Sequence, residues 1–97
     1  MIYLVVEMSD KTQWAIPAIL IAEHRARHYA ALEGEGVYPA EIAYAMSDDY
    51  EIKDWAANNM NWEDVCHEAI KLEVKLPKAN YHKDWINAPK HIKEVEL

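Results

Sequence analysis

His24 and His28 stand four residues apart in EHRARH, residues 23–28. On a helix that spacing puts both imidazoles on one side, where they can clip a metal ion, and Cys66 and His67 would be the further ligands such a site needs. The order is not the metalloprotease HExxH, because the glutamate precedes the first histidine. There is also no CxxC and no second histidine pair. The expected arrangement is two solvent-facing histidines on the polar side of a helix, with a small metal-binding protein using His24 and His28 as an alternative. Nucleophilic chemistry has as little to build on. Ser9 and Ser47 lie outside any GxSxG context. Adjacent residues such as Cys66 and His67 rarely present both side chains to one substrate, and Cys66 is expected as a buried or half-buried thiol. The two glycines, Gly34 and Gly36, are too closely spaced for a phosphate-binding loop. The expectation is a non-enzymatic protein with no catalytic residue, no metal and no cofactor.

The densest functional chemistry is SDDYEIKDWAANNMNWEDV, residues 47–65. It fails as a calcium loop: an EF-hand needs acids or amides at its first, third and fifth positions and then Gly. Counted from Asp48, the third position is Tyr50, and no glycine is near. Helix capping explains part of it. Asp48 can cap a helix, with Glu51 as its capping-box partner, and Asn61 can cap another turn, with Asp64 three residues on. Such acids satisfy free N–H groups and complement the helix dipole, each contributing roughly 0.5–2 kcal/mol. Asp49, Asp54 and Glu63 have no such duty and read as surface charge. Trp55 and Trp62 read first as core or boundary residues. Partly exposed beside Tyr50 and the acids, they would form a binding hot spot. The candidate partner-binding set is therefore Asp48, Asp49, Tyr50, Glu51, Asp54, Trp55, Trp62, Glu63 and Asp64.

These residues need a frame. MIYLVVEM at the start reads as a strand with Ile2, Leu4, Val6 and Met8 on one face and Tyr3, Val5 and Glu7 on the other. SDK is turn material, and TQWAI returns as a second strand of a hairpin. Pro17 opens a helix over 17–32, with Ile19, Ala22, Ala26, Tyr29 and Ala30 on its apolar arc. Glycines at 34 and 36 stop it, and Pro39 starts another helix. Ile52, Trp55 and Ala56 are the apolar set of a third, ended by Asn58 and Asn59. AIKLEVKL, residues 69–76, alternates as a strand with Ile70, Leu72, Val74 and Leu76 inward. Pro77 ends it. A polar C-terminal extension, 78–97, follows, with Trp85 and Ile86 as anchors and a weakly marked strand at 91–96. The order β-β-α-α-α-β predicts a single α+β domain over 1–97, a small antiparallel sheet of about three strands covered on one face by helices.

Charge excludes some partners. Residues 47–68 carry seven acids and one base, a net −6 of the chain's −7. That balance argues against direct binding to nucleic acid and to an anionic membrane. Hydrophobic residues at 52% are too many for a disordered chain. The single cysteine precludes an intrachain disulfide and fits a reducing cytoplasm. The N-terminus lacks the features of a signal peptide. The longest apolar run, WAIPAILIA, is nine residues, short of the roughly 20 that span a bilayer. The chain reads as soluble and cytoplasmic.

Trp14 to Pro17, the IAxxRAxxYA pattern from Ile21 to Ala30, and the DYEIxDWAxNNMNWxDV pattern from Asp49 to Val65 resemble a group of small uncharacterised proteins of tailed bacteriophages. The resemblance covers about half of the chain. It implies a phage origin and a place in the host cytoplasm or the virion, and it brings no activity and no catalytic residues. Together with the charge, it gives a non-enzymatic acidic accessory protein that binds a host or phage protein. One version inhibits a basic nucleic-acid-binding or defence protein by presenting an acidic surface, a nucleic-acid mimic. The alternative is a minor virion or assembly component. The oligomeric state is open.

Overall fold

The computed structural model describes residues 1–73, 85–86 and 88–94. Strand β1, Ile2–Glu7, and strand β2, Gln13–Pro17, form an antiparallel hairpin in which Leu4 faces Ile16 and Val6 faces Trp14. Its turn is held by polar groups that find partners inside it. Met8 N–H donates to Thr12 O at 2.9 Å, and the Thr12 hydroxyl donates to buried Asp10 while accepting from Trp14 Nε1 at 3.1 Å. The turn carries Lys11 at φ 70°, the left-handed conformation that lets so short a connection reverse the chain.

Helix α1, Ala18–Glu33, begins directly after Pro17 and ends at Gly34, whose φ of 103° suits a residue without a Cβ. A short 3-10 turn leads into α2, Tyr38–Met46, with Pro39 in its first turn. Helix α3 is Asp49–Asn59, and the four-residue α4 is Trp62–Val65. Strand β3, Ile70–Glu73, then pairs with β2, and strand β4, Lys90–Glu94, pairs with β1, giving the antiparallel order β3-β2-β1-β4. The fold is α+β, as the sequence predicts, with one strand and one short helix more than the expected order. Leu4, Val6 and Ile16 from the sheet and Met8 from the hairpin turn pack with Ile21 and Ala22 of α1, Ala45 of α2, Ile52, Trp55 and Ala56 of α3, and Trp62 and Val65 of α4. On the far face of the hairpin Tyr3, Val5 and Ala15 are buried as well.

Two expectations for the second half of the chain change. Ile70 and Leu72 do not face the core; they are 38% and 36% exposed. Lys71 instead lies across from Trp14, its ammonium 5.4 Å from the indole centroid, and a bulge interrupts the pairing between Gln13 and Trp14. Alternation fixes which residues share a face but not how far either face is covered, and on this edge strand Lys71 is itself exposed, its stem laid along the Trp14 ring. Val74, Leu76 and Pro77 lie outside the described residues. In the tail the weakly marked strand forms, β4 pairing along β1, and the expected anchor Trp85 is completely buried. Ile86, expected as a second anchor, is 55% exposed.

Candidate functional site

The acidic segment is distributed over the start of α3 and over α4. Asp48 has extended backbone and accepts from Tyr50 N–H at 3.0 Å, the N-cap the sequence predicts. Glu51 does not complete a capping box. Its carboxylate turns to Arg25, 3.7 Å from Nε, and accepts a long hydrogen bond from the Tyr44 hydroxyl at 3.4 Å. An arginine nearby outcompetes a neutral backbone N–H for a carboxylate. Glu51 also raises the affinity of the Tyr44 hydroxyl for its proton. Asn61 and Asp64 do form the predicted capping box, with Asn61 N–H donating to Asp64 at 2.7 Å. Asp49, Tyr50, Glu63 and Asp64 are exposed, while Asp54 is half-buried and accepts from the Asn58 amide at 2.9 Å. Among the described residues, Asp49 and Asp54 form no ion pair.

Trp55 and Trp62 leave the candidate surface. They are 8% and 9% exposed, because each packs into the aromatic middle of the molecule. Trp62 meets the edge of Trp14 at 5.5 Å and Trp85 at 6.3 Å. Trp55 lies among His28 at 5.2 Å, Tyr29 at 5.9 Å and His24 at 6.0 Å. Its Nε1–H donates to His24 Nδ1 at 2.9 Å. Tyr50, 68% exposed, is the aromatic of the candidate set that remains available to a partner.

The histidines are correspondingly corrected. His28 is exposed, but His24 is half-buried and hydrogen-bonded. Burial lowers the proton affinity of His24; Asp64 acts against this, and Arg27 and His28 act with it. The folded protein therefore binds a proton at His24 less readily than the unfolded chain. The stability that follows is complete above the ordinary value of 6.5 and is lost as pH falls from 6.5 toward the lower folded value. Thermal melts across that window are expected to show Tm falling with pH, and His24→Asn, which keeps an acceptor but does not titrate, to flatten that part of the curve.

A feature the sequence reading passed over holds three helices together. Arg25, 7% exposed, donates from Nη1 to Glu41 of α2 at 2.5 Å and faces Glu51 of α3. Its guanidinium lies 4.7 Å from the Tyr29 ring centroid and 5.0 Å from that of Tyr44. Its Nε is buried without a hydrogen bond. The signal is slight: on the helical wheel Arg25 lies beside Tyr29, just outside the arc of Ile19, Ala22, Ala26, Tyr29 and Ala30.

Cys66 is exposed rather than buried, its thiol 3.9 Å from Glu63 O in the turn after α4. Among the described residues no three His, Cys, Asp or Glu side chains converge on a point where a metal could sit. A hollow of about 330 Å³ lies against the start of α1, lined by Met1, Pro17, Ile19, Leu20, Glu23 and Glu68. It holds none of the candidate residues and no nucleophile beside a base. Among the described residues no helix is long and apolar enough to cross a membrane. No protein family, no curated protein and no solved structure matches the chain.

Proposed function

We propose that the protein acts by binding another protein rather than by catalysis, as a phage-type accessory protein in the host cytoplasm that occupies the basic surface of a nucleic-acid-binding or defence protein. The observation that carries this reading is the presentation of Asp49, Tyr50, Glu63 and Asp64 on the outside of α3 and α4. The two helix starts that hold them are fixed by the Asp48 and Asn61 caps. Capped helix starts hold acids in place with little entropy left to lose on binding. Glu51, committed to Arg25, contributes little to that surface.

The test begins with affinity capture from host lysate, followed by binding measurements on the purified pair. Binding to the captured basic protein is expected to weaken at least about tenfold between ~0.05 and ~0.5 M salt. The triple variant Asp49→Lys, Asp54→Lys, Glu63→Lys is expected to abolish it with the circular dichroism spectrum unchanged. Salt-independent binding, or full binding by the triple variant, rejects the proposal.

A second reading, a minor virion or assembly component held by an apolar contact, draws on the exposed Ile70 and Leu72 of edge strand β3. Mass spectrometry of purified particles separates the two, since only a virion component is present at fixed copy number.

A further inference from the structure

The contact between Trp55 and His24 changes its hydrogen-bonding capacity with a single proton. An indole N–H can only donate, and here it donates to His24 Nδ1 at 2.9 Å. This requires the neutral imidazole with its proton on Nε2. A second proton, on Nδ1, would set two N–H groups against each other at bonding distance. We propose that the pair is an acid-released latch: protonation of His24 frees Trp55 and loosens the middle of α3 from α1. The latch stands on this helix contact alone and does not depend on what the acidic surface binds.

The charged groups facing the imidazole come from two helices. On α1, Arg27 and His28 oppose a further positive charge, and on α4, Asp64 favours it. From α3 the imidazole meets the neutral indole of Trp55. The balance holds the proton affinity of His24 below its ordinary value, so the neutral form dominates at pH 7. Trp55 is 8% exposed, so an indole that loses its acceptor is a buried donor without a partner, an unfavourable state that turning to water relieves. The rings beside it, His28 and Tyr29, belong to α1, so the indole reaches water by separating from that helix. Arg25 meanwhile still reaches Glu41 and Glu51. It keeps the first turn of α3 in place, and the release stays local.

Trp85 supplies an internal control. Its Nε1–H donates to the carbonyls of Ala56 and Met60, which do not titrate. The experiment is a pH titration of the full chain by NMR, following the ring protons of His24 and His28 and the exchange of the Trp55 and Trp85 indole N–H groups. Trp55 protection, its exchange compared with that of a free indole at the same pH, is expected to fall at least about tenfold with acid. Its midpoint should lie below 6.5 and coincide with that of His24, while Trp85 stays protected. In His24→Asn the Trp55 protection should become independent of pH. Three results would overturn the latch: Trp55 unchanged while His24 titrates, Trp55 following the midpoint of His28, or Trp55 and Trp85 losing protection together. The wild-type titration decides among these even if the variant fails to fold.

Discussion

Replacing Arg25 with alanine is expected to destabilise the fold by about 3 kcal/mol, measured as a drop in the urea midpoint at unchanged slope. The loss comes from several sources at once. Glu41 and Glu51 are left facing each other across the site without a cation, and the rings of Tyr29 and Tyr44 lose the guanidinium between them. The Glu41 and Glu51 side chains are 25% and 24% exposed, so water screens part of the unpaired charge, and the figure belongs at the lower end for breaking a buried ion pair. In a domain whose total stability is about 5–15 kcal/mol this is a large share. Arg25→Lys should recover only part of it. An ammonium keeps the charge but cannot lie flat between two rings or match two carboxylates. Adding Glu41→Gln and Glu51→Gln to Arg25→Ala should restore much of the stability, because the orphaned charges are then gone. If Arg25→Ala stays within about 0.5 kcal/mol of wild type, the junction of α1, α2 and α3 rests on apolar packing and not on Arg25.

Arg25 also shows where sequence reading stops. The apolar arc read from the sequence, Ile19, Ala22, Ala26, Tyr29 and Ala30, does not include it. The residues that make its burial tolerable, Tyr29, Glu41, Tyr44 and Glu51, are spread over residues 29–51 and two helix boundaries, and no local pattern connects them. Local signals fared well wherever their cause was local. Pro17 and Pro39 mark helix starts, Gly34 marks a stop, and Asp48 and the Asn61–Asp64 pair cap α3 and α4 through bonds to residues two or three positions away. They failed where a distant partner decides. Glu51 had an Asp48 cap box within reach and took Arg25 instead. KHIKE at 90–94 is so polar that the sequence marks its strand only weakly, yet it lies beside the central strand β1, where Ile92 meets Leu4.

The candidate surface divides along the same line. The exposure of Asp49, Glu63 and Asp64 follows from charge with no helix-core duty, which composition already suggests. The fate of Trp55 depends on His24, 31 positions earlier, and that of Trp62 on Trp14 and Trp85. An acidic tract therefore reads correctly as surface, while the aromatics within it belong to the interior. With both tryptophans withdrawn, the binding reading rests more on charge and on Tyr50 than on an apolar anchor. That makes steep salt dependence the sharper of its tests.

Trp85→Ala is expected to cost about 4 kcal/mol, and Trp85→Phe about 2 kcal/mol. The difference separates the two things this residue does. Its ring is fully buried in the core beside Trp62. Its indole N–H donates to Ala56 O at 3.1 Å and Met60 O at 2.9 Å, carbonyls at the C-terminal end of α3. The last carbonyls of a helix have no partner within it, so Trp85 closes α3 from a position 25 residues further along the chain. Phenylalanine keeps most of the apolar volume and strands both carbonyls, whereas alanine also leaves a cavity. Trp85 bears on the sheet too. Its carbonyl accepts from the Lys90 ammonium, which lies 5.2 Å from the indole centroid at the start of β4. Burial lowers the proton affinity of Lys90, and the ring face and the carbonyls of Trp85 and Ala88 are what it meets there. Hydrogen exchange should therefore show two regions loosened by Trp85→Phe: the last turn of α3, and the amides of β1 and β4 that pair with each other. Exchange at the β1–β2 hairpin should change least. Equal loss across all strands would mean that Trp85 acts only through core volume, and a phenylalanine variant as stable as wild type would remove its role as the cap of α3.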